Sequence, residues 1–390
     1  MPQTTDIGAR LREVRKRRGL SQRELATAAG VSISLIRKLE QGQVTGTRME
    51  TARRLAIALR VPTTNLLAHD SHRADEATID QWAAVRAALD APPATVIDEE
   101  PTADGVAKAL AATRPLLDDL ALGSLAALLP PLLRDADALT GTDRQTRTVQ
   151  ARTLQLTGWL LTQTHQYQAA SDALDRALDV AGDRLDGAAT INTRCWLLLR
   201  QGLFDECATL ATQWADDIEP RMSRATPTEL ASWGWMLLRV AAASVRDNRP
   251  GDAADALKFA RAASVAMGRE DVVDALGVRT FGPATVTQHA VEHAGIGDRP
   301  DRVLSLAEGM PTGRLSAANR GRHRLNVADA HVRLRDYGSA VAVLRGVHEA
   351  QPEWLVQQRY ARDIVGRVVG KRRTLTPEMR ALADAVGVPL

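Results

Sequence analysis

Cysteine is almost missing from this chain of 390 residues, which holds two, Cys195 and Cys207. Two thiols are too few for a disulfide scaffold or a four-cysteine zinc site, and they suit a reducing compartment. Aromatic residues are scarce, at 3%, and all of them lie at or beyond Trp82. No apolar run approaches the roughly 20 residues that a bilayer span needs. The best candidate, Leu120 to Leu133, is interrupted by Gly123 and by Pro130-Pro131. The opening MPQTTDIGARLREVRKRRG has no apolar centre of the kind a secretory signal requires. A cytoplasmic location without a membrane partner is the expectation. Proline and glycine are scattered, which excludes collagen-like and low-complexity classes. What remains is a globular composition, 45% hydrophobic and 25% charged, in a chain long enough for two or three domains.

Charge is unevenly spread. Residues 1–73 hold 14 Lys and Arg against 6 Asp and Glu, a surplus of 8, although the whole chain is only +3. A basic head on a mildly acidic body implies that the head is the part that meets a polyanion.

The head, residues 1–70, reads as five short helices. Ile7, Leu11 and Val14 recur at helical spacing and Gly19 ends the first helix. Ser21 and Glu24 form a capping box for the second, which runs to Gly30. Ser32 is placed to cap a third over Ile33 to Gln41, closed by Gly42. A fourth covers Met49 to Leu59, and Pro62 opens a fifth. Two short helices joined by a glycine-containing turn make a helix-turn-helix. The run GLSQRELATAAGVSISLIRKLEQG resembles the XRE, or Cro/cI phage-repressor-like, DNA-binding domain over residues 6–68. Leu25, Ala26, Gly30, Val31, Ile36, Leu39, Glu40 and Gly42 stand where that family has them.

The resemblance implies a set of DNA contacts on the third helix, entering the major groove by its N-terminal end. Ser32, Ile33, Ser34, Arg37 and Lys38 would face base edges or flanking phosphates. Ile33 offers only apolar contact, as to a thymine methyl, and Lys38 can donate to guanine. Gln22, at the start of the second helix, would bond a phosphate. Arg15 and Glu40 resemble the family's buried ion pair. The following loop, Gln43 to Arg48, leaves only Arg48 to grip phosphate, where many relatives carry a basic loop.

Residues 71–104 read as a linker, made of a helix from Asp75 to Leu89 and an acidic, proline-rich loop. From 105 to 390 nearly everything reads as helix, with no alternating strand pattern. Small residues recur in tandem at tetratricopeptide spacing from Ala151, Ala188, Gly234, Ala284 and Gly321, starts 37, 46, 50 and 37 residues apart. The segment resembles a tetratricopeptide-type α-solenoid, capped by residues 105–140 and 352–390. The fold class is therefore all-α, a helix-turn-helix head followed by a tetratricopeptide-like solenoid.

In such a solenoid, fixed positions of each first helix line a concave face. That implies ligand contacts from Arg152, Gln155, Trp159, Gln163, Asn192, Trp196, Arg200, Trp235, Arg246 and Gln288. Indoles flanked by amides and guanidiniums suit an extended peptide. Any single Trp could equally be core.

Two other patterns compete. His289-Ala290-Val291-Glu292-His293 matches H-x-x-E-H, which a metal-dependent hydrolase could use, but no third ligand is evident. Cys195 and Cys207 face each other within one helix pair, where they could form a redox switch or simply fill a core. No Walker loop, nucleophile elbow or nucleophile-base pair is present. No catalytic residue, metal or cofactor is expected. The combination resembles peptide-sensing quorum regulators, which implies a homodimer on a near-palindromic double-stranded operator, switched by a small signalling ligand, a short peptide. The alternative keeps the DNA-binding head and makes the solenoid a docking scaffold for a protein.

Overall fold

A computed structural model describes residues 7–44, 47, 49–61, 66, 80–91, 100–268, 271–311, 313–372 and 374–389. The head contributes α1 (Ile7–Arg17), α2 (Gln22–Ala29), α3 (Ile33–Glu40) and α4 (Met49–Leu59). Ser21 caps α2 as its sequence implies. Its Oγ accepts from the Glu24 N–H at 3.2 Å, and Glu24 accepts the Ser21 N–H at 2.7 Å. Gly30 takes the left-handed conformation, φ 62°, that the tight turn into α3 demands. Leu11, Leu25, Ile36, Leu39, Leu55 and Leu59 are fully buried and form one small core. Pro62 and Arg48 lie outside the described residues.

The segment expected to be a linker is partly body. Helix α5 (Ala83–Asp90) buries Trp82, Val85 and Leu89 in the same core as the helices that follow. Those are α6 (Ala103–Ala112), α7 (Arg114–Asp119) and α8 (Leu122–Asp137). Helix α8 runs through Pro130 and Pro131, so the apolar run that they interrupt remains one helix.

Five helical hairpins follow: α9 (Arg144–Gln163) with α10 (Tyr167–Asp179), α11 (Arg184–Gln201) with α12 (Phe204–Asp217), α13 (Pro227–Arg246) with α14 (Pro250–Ala266), α15 (Pro283–Ile296) with α16 (Pro300–Glu308), and α17 (Ala317–Arg333) with α18 (Tyr337–Ala350). Their turns share one conformation. His165, Gly202, Asn248, Asp298 and Arg335 each have positive φ and stand two residues before the second helix of their pair. Four of the five are not glycine, so the solenoid holds its turns against a local backbone preference. Within the first hairpin the helices touch closely. A Cβ added at Gly158 would lie 2.6 Å from Leu174 Cγ.

Among the described residues, one short hairpin is not helical. Residues Val272–Val273 (β1) and Thr280–Phe281 (β2) pair antiparallel between α14 and α15. Two-residue strands are too short for alternation to reveal them. Phe281 is fully buried and fills the space that Gly234 leaves open.

The chain ends in α19 (Pro352–Val356), α20 (Arg359–Val369) and α21 (Pro377–Val386). These helices return to the start of the body. Glu353 accepts the Gly123 N–H at 2.8 Å. Trp354 donates to Gln163 Oε1 at 3.3 Å, and His165 Nε2 lies 2.9 Å from the Gln357 carbonyl. The two caps therefore meet, and the solenoid comes round to its own first hairpin.

Candidate functional site

Two surfaces concentrate chemistry, one on the head and one inside the ring of hairpins. On the head, Ser32 caps α3 by accepting the Leu35 N–H at 3.1 Å. The helix buries Ile36 and Leu39 and leaves Ser34, Arg37 and Lys38 exposed, with Ile33 half-buried beside them. Behind it Arg15 holds Glu40 with two bonds, Nε to Oε1 at 2.6 Å and Nη2 to Oε2 at 2.8 Å. Burial alone would raise the Glu40 carboxyl, but the bonds from Arg15 and Gln22 outweigh it and hold its pKa below the ordinary value. Gln22 is placed differently from expectation. Its amide nitrogen donates to Glu40 Oε2 at 2.8 Å, which ties α2 into the ion pair.

Inside the body the hairpins line a chamber of about 1160 Å³ that is partly open to solvent. Of the residues expected to contact a ligand, Trp159, Gln163, Trp196, Arg200, Trp235, Arg246 and Gln288 line it together. Three do not. Arg152 turns to Asp186 at 3.4 Å, joining the first two hairpins. Gln155 is buried away from the chamber. Asn192 supports from behind, accepting from Arg239 Nε at 2.6 Å. The Trp159 and Trp196 rings lie 6.3 Å apart. Arg200 stands 5.9 Å from the Trp196 ring centre and Arg239 5.2 Å from that of Trp235, both in cation–π range.

Sequence reasoning missed part of this wall. Arg239 follows Trp235 by four residues and precedes Arg246 by seven, one helical stripe that a helical plot of α13 would have revealed. Arg279 comes from the unforeseen hairpin. It donates to Thr193 Oγ1 at 2.7 Å and pairs with Asp274 at 3.1 Å. Trp354 and Arg359 arrive through closure of the ring, which no local pattern encodes.

The H-x-x-E-H helix is α15. His289 and Glu292 face the chamber, where Glu292 pairs with Arg246 and stands 3.9 Å from His289. Burial pushes His289 down to about 3 and His293 to about 4, so both are neutral at pH 7. Among the described residues, no three His, Cys, Asp or Glu side chains converge as a metal site would need. Cys195 and Cys207 are fully buried and free, with the Cys207 thiol donating to the Cys195 carbonyl at 3.3 Å.

The two surfaces touch. Ile7, Leu35, Thr47 and Thr51 of the head line the chamber with the body residues, so the head forms part of its wall. Arg53 of α4 donates to the Val245 carbonyl at 3.3 Å and to that of Ile296, near the C-terminal ends of α13 and α15. Those ends carry the negative pole of each helix, which favours a guanidinium there.

Residues 6–69 match the family model described as a helix-turn-helix domain. The head is a helix-turn-helix domain. Over 66 residues the chain is 38% identical to an uncharacterized HTH-type transcriptional regulator, RghRB, of Bacillus subtilis (strain 168). That stretch is 17% of this chain and 48% of the relative, so the likeness spans about half the relative's length. No solved structure matches the chain significantly. Among the described residues, no helix is long and apolar enough to cross a membrane.

Proposed function

We propose that this protein is a transcription regulator whose head binds a DNA operator and whose chamber binds a signalling ligand that alters DNA binding. The observation that carries this reading is the position of α3. Its outward face offers Ser34, Arg37 and Lys38 to a groove, while Leu35, one residue along, lines the chamber. A ligand filling the chamber would press on the helix that reads DNA. If it fits one head position better than another, it shifts the population between them by its difference in affinity. The name of the Bacillus relative supports the DNA-binding part of this reading.

The ligand we favour is a short peptide that fits within the ring of hairpins. In a homodimer, two heads would read half-sites about one helical turn apart, and head movement would alter their spacing. The body then acts as a sensor and not as an enzyme. Replacing Trp159 and Trp196 with Ala tests it. The variant should bind DNA as the unliganded protein does and should no longer respond to ligand. A variant that still responds would place the signal elsewhere.

A further inference from the structure

The residues that line the chamber are unbalanced in charge. Among those described, seven are arginines and two are carboxylates, Glu292 and Asp363. Arg246 takes Glu292, and Arg279 has Asp274 from behind the wall. The hydrogen-bond partners of Arg200, Arg239 and Arg322 are neutral. Arg200 faces His165 at 3.4 Å, Arg239 holds Asn192 at 2.6 Å, and Arg322 reaches Gln358 at 3.3 Å. Arg279 is 5% exposed, and its Nη2 has no partner. Enclosure in protein lowers Arg239 and Arg322 to about 10, with neighbouring cations adding to the effect of burial. They stay charged at pH 7, so the chamber gathers positive charge that only Glu292 and Asp363 offset among its described lining residues. Guanidiniums gathered on one wall favour an anionic partner.

We propose that the ligand is a multiply charged anion that presents two or more carboxylate or phosphate groups to Arg200, Arg239, Arg279 and Arg322. This rests on reading the chamber as the signal site. Guanidiniums match both groups as paired donors, and the Trp159–Trp196 wall beside them suits a flat or apolar portion of the same molecule. Two sources share this chemistry, an acidic peptide with a free C-terminus and a nucleotide-like phosphate ester.

Thermal unfolding of the full chain, followed by Trp fluorescence, decides the matter at matched ionic strength in chloride. One arm compares the N-acetylated peptide Glu-Leu-Phe-Leu-Asp with its N-acetylated, C-amidated and therefore neutral analogue Gln-Leu-Phe-Leu-Asn. The other compares adenosine triphosphate with adenosine, and pyrophosphate is added alone. The anionic member of at least one pair should raise Tm and its neutral partner should not. The responding arm names the source. In R239Q/R322Q the affinity should fall at least about tenfold for each arginine removed, while R239K/R322K should retain part of it. The glutamine variant without ligand should unfold no earlier than the wild type, because it removes two of several like charges from one wall. A variant with Arg37 and Lys38 replaced by Ala should keep the shift, which excludes binding to the head. Equal shifts from neutral partners, a shift that survives in R239Q/R322Q, or no shift with any anion overturns the proposal. If a neutral partner binds and alters DNA affinity, the regulator reading stands and the charge inference alone fails. If anions bind here and no DNA is bound specifically, the reverse holds.

Discussion

Head and body use arginine in opposite ways. The head is strongly basic and turns much of that charge outward: Arg37 and Lys38 are exposed on α3, and the buried Arg15 has a dedicated carboxylate. The body is acidic by sum, yet it turns a surplus of arginines inward against neutral partners. Regional net charge therefore reveals the partner of a surface and conceals that of a chamber, because surface carboxylates cancel the arginines in the count without meeting them in space.

The same contrast extends to histidine and provides its most severe test. His165, His289 and His293 of the body are held neutral, at about 4, 3 and 4, chiefly by burial. Their pKa values are lower in the folded state than the ordinary ~6.5, so the unfolded chain takes up protons first. Stability from these groups is fully present above pH ~6.5 and is lost as pH falls from there toward 4. The loss is on the order of 3 kcal/mol for each histidine by pH 4. Residues 7–61 contain no histidine and Glu40 stays ionised below the ordinary carboxylate range. Acid should therefore unfold the body first. All tryptophans lie in the body, so their fluorescence reports it alone, while amide exchange in α1 to α3 reports the head. Simultaneous loss of both signals would break the comparison.

Removing Glu40 should reverse that order. In Glu40→Ala, Arg15 is left buried without its carboxylate, at a cost of about 3 kcal/mol, near the lower end for such pairs because the site lies close to the surface. Urea unfolding at pH 7 should then show the exchange protection of the head lost before Trp fluorescence changes. Next in size, Arg37→Ala with Lys38→Ala should weaken DNA binding by about 1–3 kcal/mol for each side chain that bonds a base edge, and leave the unfolding curve unchanged. Unaltered affinity would contradict the groove assignment. Smallest is Ser21→Ala, which removes the α2 cap and should cost the head about 1 kcal/mol, with no change in the chamber's response to ligand.

Much of this was legible in the residues, and for a reason. Capping boxes, glycine turns and helical periodicity act within a few residues, so Ser21, Gly30 and Ser32 announced the head, and the small residues of each hairpin announced the helix pairs. Trp159, Trp196 and Trp235 could be set on one face because helical spacing carries direction. What escaped depends on packing between residues far apart in sequence. The caps meet through Gly123 and Glu353, Trp354 reaches Gln163, and α5 joins the body core through Trp82. None of these leaves a local pattern. The hairpin that delivers Arg279 escaped because two-residue strands show no period, and Gln22 is drawn to Glu40 by a pairing across three helices.

The most direct test of the account joins both halves in one titration. Fluorescence anisotropy would follow binding of the full chain to DNA from upstream of its own gene, with and without the low-mass fraction of spent culture medium, for the wild type and Arg53→Ala. The account predicts sequence-specific binding that the fraction changes in the wild type and changes far less once the Arg53 bridge between head and body is cut. Specific binding that ignores the fraction, or a response untouched by Arg53→Ala, would contradict it.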